Sequence, residues 1–415
     1  MKHVIIGNGP AGVVAAETLR KADPGATITL IGDEPEPPYS RMALPYLMMG
    51  EIDEAGTYLR KGQDHYARLA IELVRGRAGA VDIGARRVRL DGGATLGYDR
   101  LLIATGSHAI RPDIPGIDLP GVHVCWTMED ARRIIARAAP GSRVLQVGAG
   151  FIGCIIMEAL LTRGVRLTVV EMGDRMVPRM MTPVAGNMIR SWCEGKGVDV
   201  RVKARVTDIR RAAGETLLAT LDSGAALEAD LVIVAAGVRP NIDFLRGSGI
   251  DCGAGVTIDA AMRTNVPEVY AAGDVAEGID PSTGKRAVNA IQPTAVEQAR
   301  VAALNMAGRQ VASHGHLTLN VLDTLGLVST SFGQWWSEPG GQTAELIDQG
   351  EFRYLSLQFA GDVLVGATSI GLTEHVGVLR GLIEGRVRLG PWKDRLLQDP
   401  LRIMEAYLAR AQAAA

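Results

Sequence analysis

The chain has 415 residues, with 44 Lys and Arg against 46 Asp and Glu, a net charge of −2, 47% hydrophobic residues, 50 glycines and 4 cysteines. That length exceeds one ordinary hydrophobic core and implies two or three domains, and the near-neutral charge excludes a general basic field for nucleic acid. Cys125, Cys154, Cys193 and Cys252 are scattered and form no C-x-x-C, which argues against a disulfide framework, a zinc site or an iron–sulfur cluster held by this chain alone; each reads as a buried free thiol.

The first element is the apolar run Val4-Ile5-Ile6, read as a buried parallel strand. It begins so close to Met1 that no signal peptide is expected. Gly7, Gly9 and Gly12 then give G-x-G-x-x-G spacing, helix-forming residues follow over 13–19, and a second apolar run over 27–31 ends in Gly32-Asp33-Glu34. Strand, glycine turn, helix, strand and acid is the order a dinucleotide site needs. The first glycine permits the tight turn, the second lets the backbone approach a pyrophosphate, and the third lets helix and strand pack closely. The pyrophosphate would sit on free amides at the positive end of the helix, and an acid after the second strand can accept from a ribose. A glycine turn between any strand and helix would match the bare triplet; the flanking elements make it specific.

Four prolines within 35–46 predict a stiff, non-sheet segment. A helical stretch around Asp64, His65 and Tyr66 precedes short β runs over 71–106, which close on Asp99-Arg100-Leu101-Leu102-Ile103-Ala104-Thr105-Gly106. Pro112, Pro115-Gly116 and Pro120-Gly121 mark a crossover between domains, and a helix is expected over 127–138.

The second half then repeats the first. Strand 143–147, the triplet Gly148, Gly150 and Gly153, a helix through Glu158, the acid-ended strand 167–171, a β meander over 198–227 and the Asp230-led run to Gly237 follow in the same order. A repeat at this scale is far more specific than either triplet and implies two dinucleotide sites in one chain. One can hold a flavin dinucleotide permanently and the other a nicotinamide dinucleotide transiently; stacked ring to ring, they permit hydride transfer. The most apolar window, 144–161, is broken by Gln146, three glycines and Glu158, so it reads as strand–turn–helix rather than a membrane span.

Glu171 favours NAD over NADP, because a carboxylate there hydrogen-bonds a ribose 2′-OH and repels a 2′-phosphate. Met172 and Gly173 supply no cation, whereas Arg175 and Arg179 are contrary evidence, and a solvated strand-end glutamate is the plain alternative. His314 and His316 read as a loop pair, no metal ligand is assigned, and no histidine is needed for a hydride step. In the last hundred residues β-type runs at 317–322, 352–359 and 363–367 precede helices from Glu374 onward. Trp335 and Trp336 fall in a polar loop over 333–341, which suits a partner surface or packing on the region's own sheet equally well. The tail over 399–415 reads as an amphipathic helix, with Arg402, Glu405 and Arg410 polar and Leu401, Ile403, Met404 and Leu408 apolar, too short in apolar run to span a membrane. A cytoplasmic protein with no membrane segment is expected.

Segments 7–17, 101–106, 148–153, Ala236-Gly237-Val238-Arg239-Pro240-Asn241 and Val269-Tyr270-Ala271-Ala272-Gly273-Asp274 together resemble the FAD-dependent pyridine-nucleotide oxidoreductases of the glutathione-reductase-like, two-dinucleotide-binding-domain fold, over residues 1–310. The stretch 32–41 is similar to the ferredoxin- or rubredoxin-reductase branch and to the flavin half of NADH-dependent nitrite reductase. The resemblance implies an α/β fold: two Rossmann-like domains, each three-layer with a central parallel sheet and a β-meander, and a smaller C-terminal α+β domain. The implied boundaries are 1–115 with 238–315 for FAD, 116–237 for NAD and 316–415 for an interface domain.

The resemblance also implies roles. Gly7, Gly9, Pro10, Ala11 and Gly12 would hold the FAD pyrophosphate, with Asp33 or Glu34 near the adenosine ribose, Gly32 standing where many relatives place the acid, and Arg41 near the flavin phosphates. Thr105 and Gly106 would line the adenine side, and Ala78 and Ala104 would also belong to the FAD site. Asp274, beside Gly273, would accept from the ribityl chain, an ordinary turn aspartate being the alternative. The amides around Gln292, Pro293 and Thr294, opening a helix, would face the flavin N1/O2 edge and stabilise negative charge on the reduced ring. Gly148, Gly150, Phe151, Ile152, Gly153, Glu171 and Gly237 would form the NAD site; Phe151 stands where the family has an aromatic that covers the flavin, or is an ordinary core residue.

The departures carry the rest. Disulfide-reducing relatives have C-x-x-x-x-C after the first fingerprint, and this chain has no cysteine before Cys125. Relatives with a single redox cysteine carry it in a Cys-Ala-Leu-Pro-Tyr-like run, which here is Met42-Ala43-Leu44-Pro45-Tyr46, and methionine forms neither thiolate nor mixed disulfide. Ile155 replaces a Glu that many relatives keep near the nicotinamide. Without a thiol relay, the electrons are expected to leave to a one-electron acceptor, an iron–sulfur protein or subunit. Met42 and the C-terminal region resemble flavin subunits of multi-subunit anaerobic oxidoreductases, such as phenylglyoxylate dehydrogenase and tungsten aldehyde oxidoreductase, so a hetero-oligomeric, NAD(H)-linked flavin subunit is expected first. A free-standing ferredoxin or rubredoxin reductase stands second, and an NADH-binding redox sensor with slow turnover is the alternative of another class.

Overall fold

The computed structural model describes every residue except Gln63, Glu338 and Ala415, with residues 411–414 as backbone alone. The chain forms two compact units, one from 1–47, 52–108 and 238–316, the other from 48–51, 109–237 and 317–415.

The first unit is built on a five-stranded parallel sheet in the order Val269–Ala271, Arg100–Ile103, Lys2–Ile6, Thr27–Gly32, Ile71–Arg75. Its central strands are apolar on both faces, as a parallel sheet covered on two sides requires. Helices Pro10–Ala22 and Gln292–Met306 pack together beside it, burying Val13, Leu19, Ala299 and Ala303. Two small three-stranded sheets complete the unit, one an antiparallel meander over Ala78–Asp82, Arg87–Leu90 and Thr95–Gly97.

The second unit contains the same motif. Its parallel sheet runs Asp199–Val202, Arg166–Glu171, Arg143–Val147, Leu231–Val234, Val122–Val124, with an antiparallel meander over Val206–Arg211, Leu217–Leu221 and Ala226–Ala229. The helix expected over 127–138 is Met128–Arg137, started by a capping box between Thr127 and Asp130. The unit also carries a five-stranded antiparallel sheet in the order Leu319–Thr324, Leu327–Gly333, Val363–Ile370, Arg353–Ala360, Gln342–Asp348. Leu355, Leu357, Phe359 and Leu364 of that sheet share a core with Leu379, Leu382, Leu396 and Ile403 from the terminal helices.

The internal repeat reaches individual hydrogen bonds. The Asp99 carboxylate accepts from the backbone N–H of Lys2 (2.7 Å), and Asp230 accepts from that of Arg143 (2.8 Å), so in each unit an aspartate opening the neighbouring strand fixes the start of the central one. Gly7 N donates to Ile31 O and Gly148 N to Val170 O, both at 2.8 Å.

Segment 35–46, expected to be stiff and non-sheet, holds one isolated antiparallel bridge from Tyr39 to Tyr58, a 3-10 turn over Arg41–Ala43 and an α-helix over Leu44–Met49. Pro45 lies in its first turn, where a missing N–H is harmless. Strands Leu327–Gly333 and Gln342–Asp348 were not expected; the first hides its alternation because Ser329, Thr330 and Ser331 are all buried, with Thr330 and Ser369 hydroxyls 2.7 Å apart. Cys252 is exposed, unlike the other three cysteines. Trp335 and Trp336 stack edge to face, with ring centroids 5.5 Å apart. The tail helix is Ile403–Ala414; Ala415, and Glu338 in the tryptophan loop, lie outside the described residues. No helix among the described residues is long and apolar enough to cross a membrane.

Candidate functional site

In the first unit the turn after strand Lys2–Ile6 is closed by backbone crowding. Gly7 has φ +109, and a Cβ there would lie 2.0 Å from Ala104 O. A Cβ at Gly12 would lie 1.8 Å from Gly7 O, so helix and turn touch backbone to backbone. At Gly9, the N-cap of the Pro10–Ala22 helix, a Cβ would meet nothing within 4 Å, and no side chain caps the helix. Three glycines therefore divide as the spacing demands: two are filled by the chain and the middle one opens onto uncapped amides. That open, positive end is the right cradle for a pyrophosphate.

The residues assigned around it fall into several groups. Ala78 and Ala104 are buried. The turn Thr105-Gly106 is held by Asn241, whose Nδ2 donates to Thr105 O (2.8 Å), whose backbone N–H donates to Gly106 O (2.9 Å) and whose carbonyl accepts from Thr105 Oγ1 (2.9 Å). Gly273 (φ +82) donates its N–H to Gln298 Oε1 at 2.8 Å, and Asp274 beside it accepts from Ser107 Oγ at 2.8 Å. Burial pushes the Asp274 carboxyl above its ordinary value, opposed by the Ser107 hydrogen bond and the Arg41 charge. Gln292 and Pro293 are exposed at the start of helix Gln292–Met306 and Thr294 is buried; no side chain caps that helix either. Gln292 Oε1 accepts from Ser40 Oγ (3.3 Å).

Two assignments meet unexpectedly. Glu34 and Arg41, read as serving different parts of the cofactor, are ion-paired at 2.7 Å, with Tyr39 Oη donating to the other Glu34 oxygen at 2.6 Å. Asp33 is exposed. At Gly32 a Cβ would collide with the Asn8 side chain at 2.2 Å, so Asn8 occupies the space a side chain there would need. Asn8 and Gln298 escaped the sequence reading. The signal for Gln298 was present, a lone glutamine 2% exposed among Ala295, Ala299 and Ala302 on the helix's buried face.

The second unit repeats the cradle. Gly148 has φ +102 with Ala235 O 2.5 Å from its would-be Cβ, a Cβ at Gly153 would lie 2.7 Å from Gly148 O, and Gly150 faces open space at the uncapped start of helix Phe151–Thr162. Phe151 and Ile152 are half-buried in its first turn. Glu171 is 6% exposed, and its two carboxylate oxygens accept from the N–H groups of Ala149 and Gly173, both at 2.7 Å. It is not a solvated strand-end glutamate. Gly237 (φ +100) accepts from Ile110 N–H at 2.9 Å.

Burial pushes Cys125 and Cys193 up to about 12 and raises Cys154 as well, while burial and the neighbouring Asp251 and Glu277 charges raise exposed Cys252. Met42 is 51% exposed. Among the described residues no group of three His, Cys, Asp or Glu could hold a metal ion.

Residues 1–302 match the pyridine nucleotide-disulphide oxidoreductase family. Over 407 residues the chain is 32% identical to the NADH-dependent phenylglyoxylate dehydrogenase subunit epsilon of Aromatoleum evansii, covering 97% of this chain and 96% of that one. It is 32% identical over 411 residues to the anthranilate 1,2-dioxygenase system ferredoxin–NAD(+) reductase component of Burkholderia cepacia, covering 98% of each. Putidaredoxin reductase, in its covalent complex with putidaredoxin, shares the fold with a TM-score of 0.91 over 99% of both chains at 23% identity. The chain belongs to the pyridine nucleotide-disulphide oxidoreductase family and is an FAD-dependent NAD(H) oxidoreductase.

Proposed function

We propose that this chain is the NAD(H)-linked flavin subunit of a multi-subunit oxidoreductase that oxidises an aldehyde or a 2-oxo acid, exchanging single electrons with an iron–sulfur partner. The reading rests on one observation: the chain has two open glycine-turn cradles, while methionine, Met42, stands where the resemblance places a redox cysteine and burial raises the pKa of the thiols the chain does have. FAD held in the first cradle would supply hydride acceptance and one-electron release. The chain's own residues bind and orient. Gly7, Gly9 and Gly12 with the Pro10–Ala22 helix would hold the FAD pyrophosphate, the turn at Gly273-Asp274 would meet the ribityl hydroxyls, and the open N-terminus of helix Gln292–Met306 would favour negative charge on the ring. Gly148, Gly150, Gly153 and Glu171 would hold NAD(H), the buried carboxylate accepting from a ribose hydroxyl. The same reading takes the protein to be cytoplasmic and hetero-oligomeric.

Anaerobic purification from the native host tests it, with the eluate assayed for NADH-linked dye reduction. Co-purification of iron–sulfur or metal-cofactor subunits is the expected result. Recovery of an active flavoprotein alone would replace it with a free-standing reductase of a small iron–sulfur carrier, a reading favoured by end-to-end similarity to a ferredoxin–NAD(+) reductase component.

A further inference from the structure

Arg175 is the residue that the NAD preference leaves unexplained. It lies four positions beyond Glu171, in the turn that rims the second cradle, where a cation would ordinarily attract a 2′-phosphate. Its side chain is nevertheless only 17% exposed. Nε donates to Met181 O (3.0 Å), Nη2 to Pro178 O (3.2 Å) and Nη1 to the Asp174 carboxylate (2.6 Å), so each nitrogen donates a hydrogen bond within its own turn. The stem lies against helix Pro183–Gly195: a Cβ at Gly186 would sit 2.8 and 2.9 Å from Arg175 Cδ and Cγ, and 2.5 Å from Met176 O.

The turn itself is fixed to the cradle. Glu171 accepts from Ala149 N–H, and Val177 N–H donates to Ala149 O at 2.9 Å, so both backbone groups of the middle residue in Gly148-Ala149-Gly150 are held from this turn. Val177 has φ +47, a strained conformation for a β-branched residue, which persists only where the surroundings impose it. The outer side of the turn is open, with Met172 69% exposed and Arg179 exposed.

We propose that Gly186 is a coenzyme-selectivity residue: by having no side chain it gives Arg175 a slot away from the nucleotide, and so keeps that cation from opposing the Glu171 carboxylate at the ribose. This rests on the reading that the second cradle holds NAD(H). Gly186→Ala would crowd the Met176 carbonyl as well as the Arg175 stem, so the 174–176 turn must move off the helix and carry the guanidinium toward the exposed rim beside Met172, where it would meet a 2′-phosphate.

The test measures dissociation constants for NAD+ and NADP+ by calorimetry on the FAD-loaded protein, together with kcat/KM for NADH and NADPH in dye reduction. Gly186→Ala should improve NADP+ relative to NAD+ by about tenfold, the effect of one charge-assisted hydrogen bond at a partly exposed site. Asp174→Ala, at a half-exposed residue that frees Nη1 without touching the core, should move the ratio the same way by less. Arg175→Ala alone should leave the ratio unchanged, and in the Gly186→Ala background it should abolish the gain. An unmoved ratio in both Gly186→Ala and Asp174→Ala overturns the proposal. So does a gain that survives loss of Arg175, or a selective loss of NADP+ binding in Arg175→Ala alone. If Gly186→Ala does not fold, Asp174→Ala with and without Arg175 decides. Wild-type protein that binds neither nucleotide would remove the reading of the cradle itself, whereas NAD+ binding with a fixed ratio removes this inference only.

Discussion

Gly9 and Gly12 stand three residues apart in one turn, and the structure predicts opposite failures for them. At Gly9 the backbone is φ −73, ψ −171, ordinary for any residue, and a Cβ would meet nothing within 4 Å. Gly9→Ala should therefore change the stability of the FAD-free protein by no more than about 1 kcal/mol: alanine restricts the unfolded chain, which stabilises, and is a poorer N-cap, which offsets it. That is a shift of roughly 2 °C in Tm or less for a chain of this size. The new methyl would lie where a pyrophosphate must approach the helix amides. Losing about two hydrogen bonds to a charged oxygen costs roughly 3 kcal/mol, or about two orders of magnitude in FAD affinity. Gly12→Ala instead puts a carbon 1.8 Å from Gly7 O and 3.1 Å from Leu30 Cδ1, a backbone collision that should lower Tm with or without FAD. The assay is a titration of each apo-protein with FAD, followed by fluorescence, beside thermal melts of apo and loaded forms. A Gly9→Ala protein that binds FAD as tightly as wild type would show that no pyrophosphate lies on this turn. An equal loss of apo stability in both variants would refute the division of roles between the two glycines.

Other outcomes follow from burial and charge. Burial raises the Asp274 carboxyl, so its contribution to apo stability is present below the unfolded pKa and lost as pH rises through the folded one; Asp274→Asn should raise the Tm of the FAD-free protein at pH 7, by less as pH falls toward the ordinary carboxyl range, while weakening FAD. His3 is fully buried in the central strand and its pKa is lowered chiefly by burial, so its contribution is present above about pH 6.5 and lost as pH falls. Thermal melts between pH 7 and 5 should therefore slope less in His3→Leu than in wild type, and an unchanged slope would show that His3 does not titrate against the fold. In the native state a thiol reagent should modify Cys252 rapidly and the three buried cysteines slowly, with NADH-linked dye reduction intact; inactivation on modification would put a thiol in the electron path.

What could be read from the sequence was whatever the chain carries locally. A parallel strand buried on both faces is an unbroken apolar run, and the glycine spacing after it is local, so both strand–turn–helix units were visible, although the crowding that demands Gly7 and Gly148 comes from distant Ala104 and Ala235. The repeat of an aspartate before each flanking strand was visible as a pattern, and its cause is now plain, since Asp99 and Asp230 each receive the first backbone N–H of the central strand. What stayed hidden depends on residues far apart in sequence. Gln298 acts on Gly273, 25 residues away, and Asn8 fills the space above Gly32. The stowed Arg175 looked like evidence for NADP because charge can be read from a sequence but its hydrogen-bond partners cannot. The Ser- and Thr-rich strand Leu327–Gly333 was hidden because its polar side chains satisfy one another inside the sheet, so no polar–apolar alternation marks a buried face.

The two cradles are nearly identical in their glycine turns, so a difference between a resident and an exchanging nucleotide has to come from what surrounds them. Around the first, four further segments of the same unit converge on assigned positions: Glu34 clamped by Tyr39 and Arg41, the Thr105 turn pinned by Asn241, Asp274 set by Ser107 beside a glycine held by Gln298, and a second uncapped helix at Gln292. Each of these side chains is already fixed by a protein hydrogen bond, so little ordering remains when a ligand arrives, which is the condition for tight binding. Around the second cradle the assigned set beyond the glycine turn is Phe151 and Ile152 in the helix's first turn, Glu171 and Gly237, and of these side chains only Glu171 is fixed by hydrogen bonds. Glu171 is itself fixed, which suits discrimination between coenzymes, but a ligand held by one turn and one carboxylate can leave. On this argument transferring selectivity requires changing only the 171–186 turn, whereas making the second nucleotide resident would require building new contacts, and no single substitution there should convert an exchanging coenzyme into a retained one.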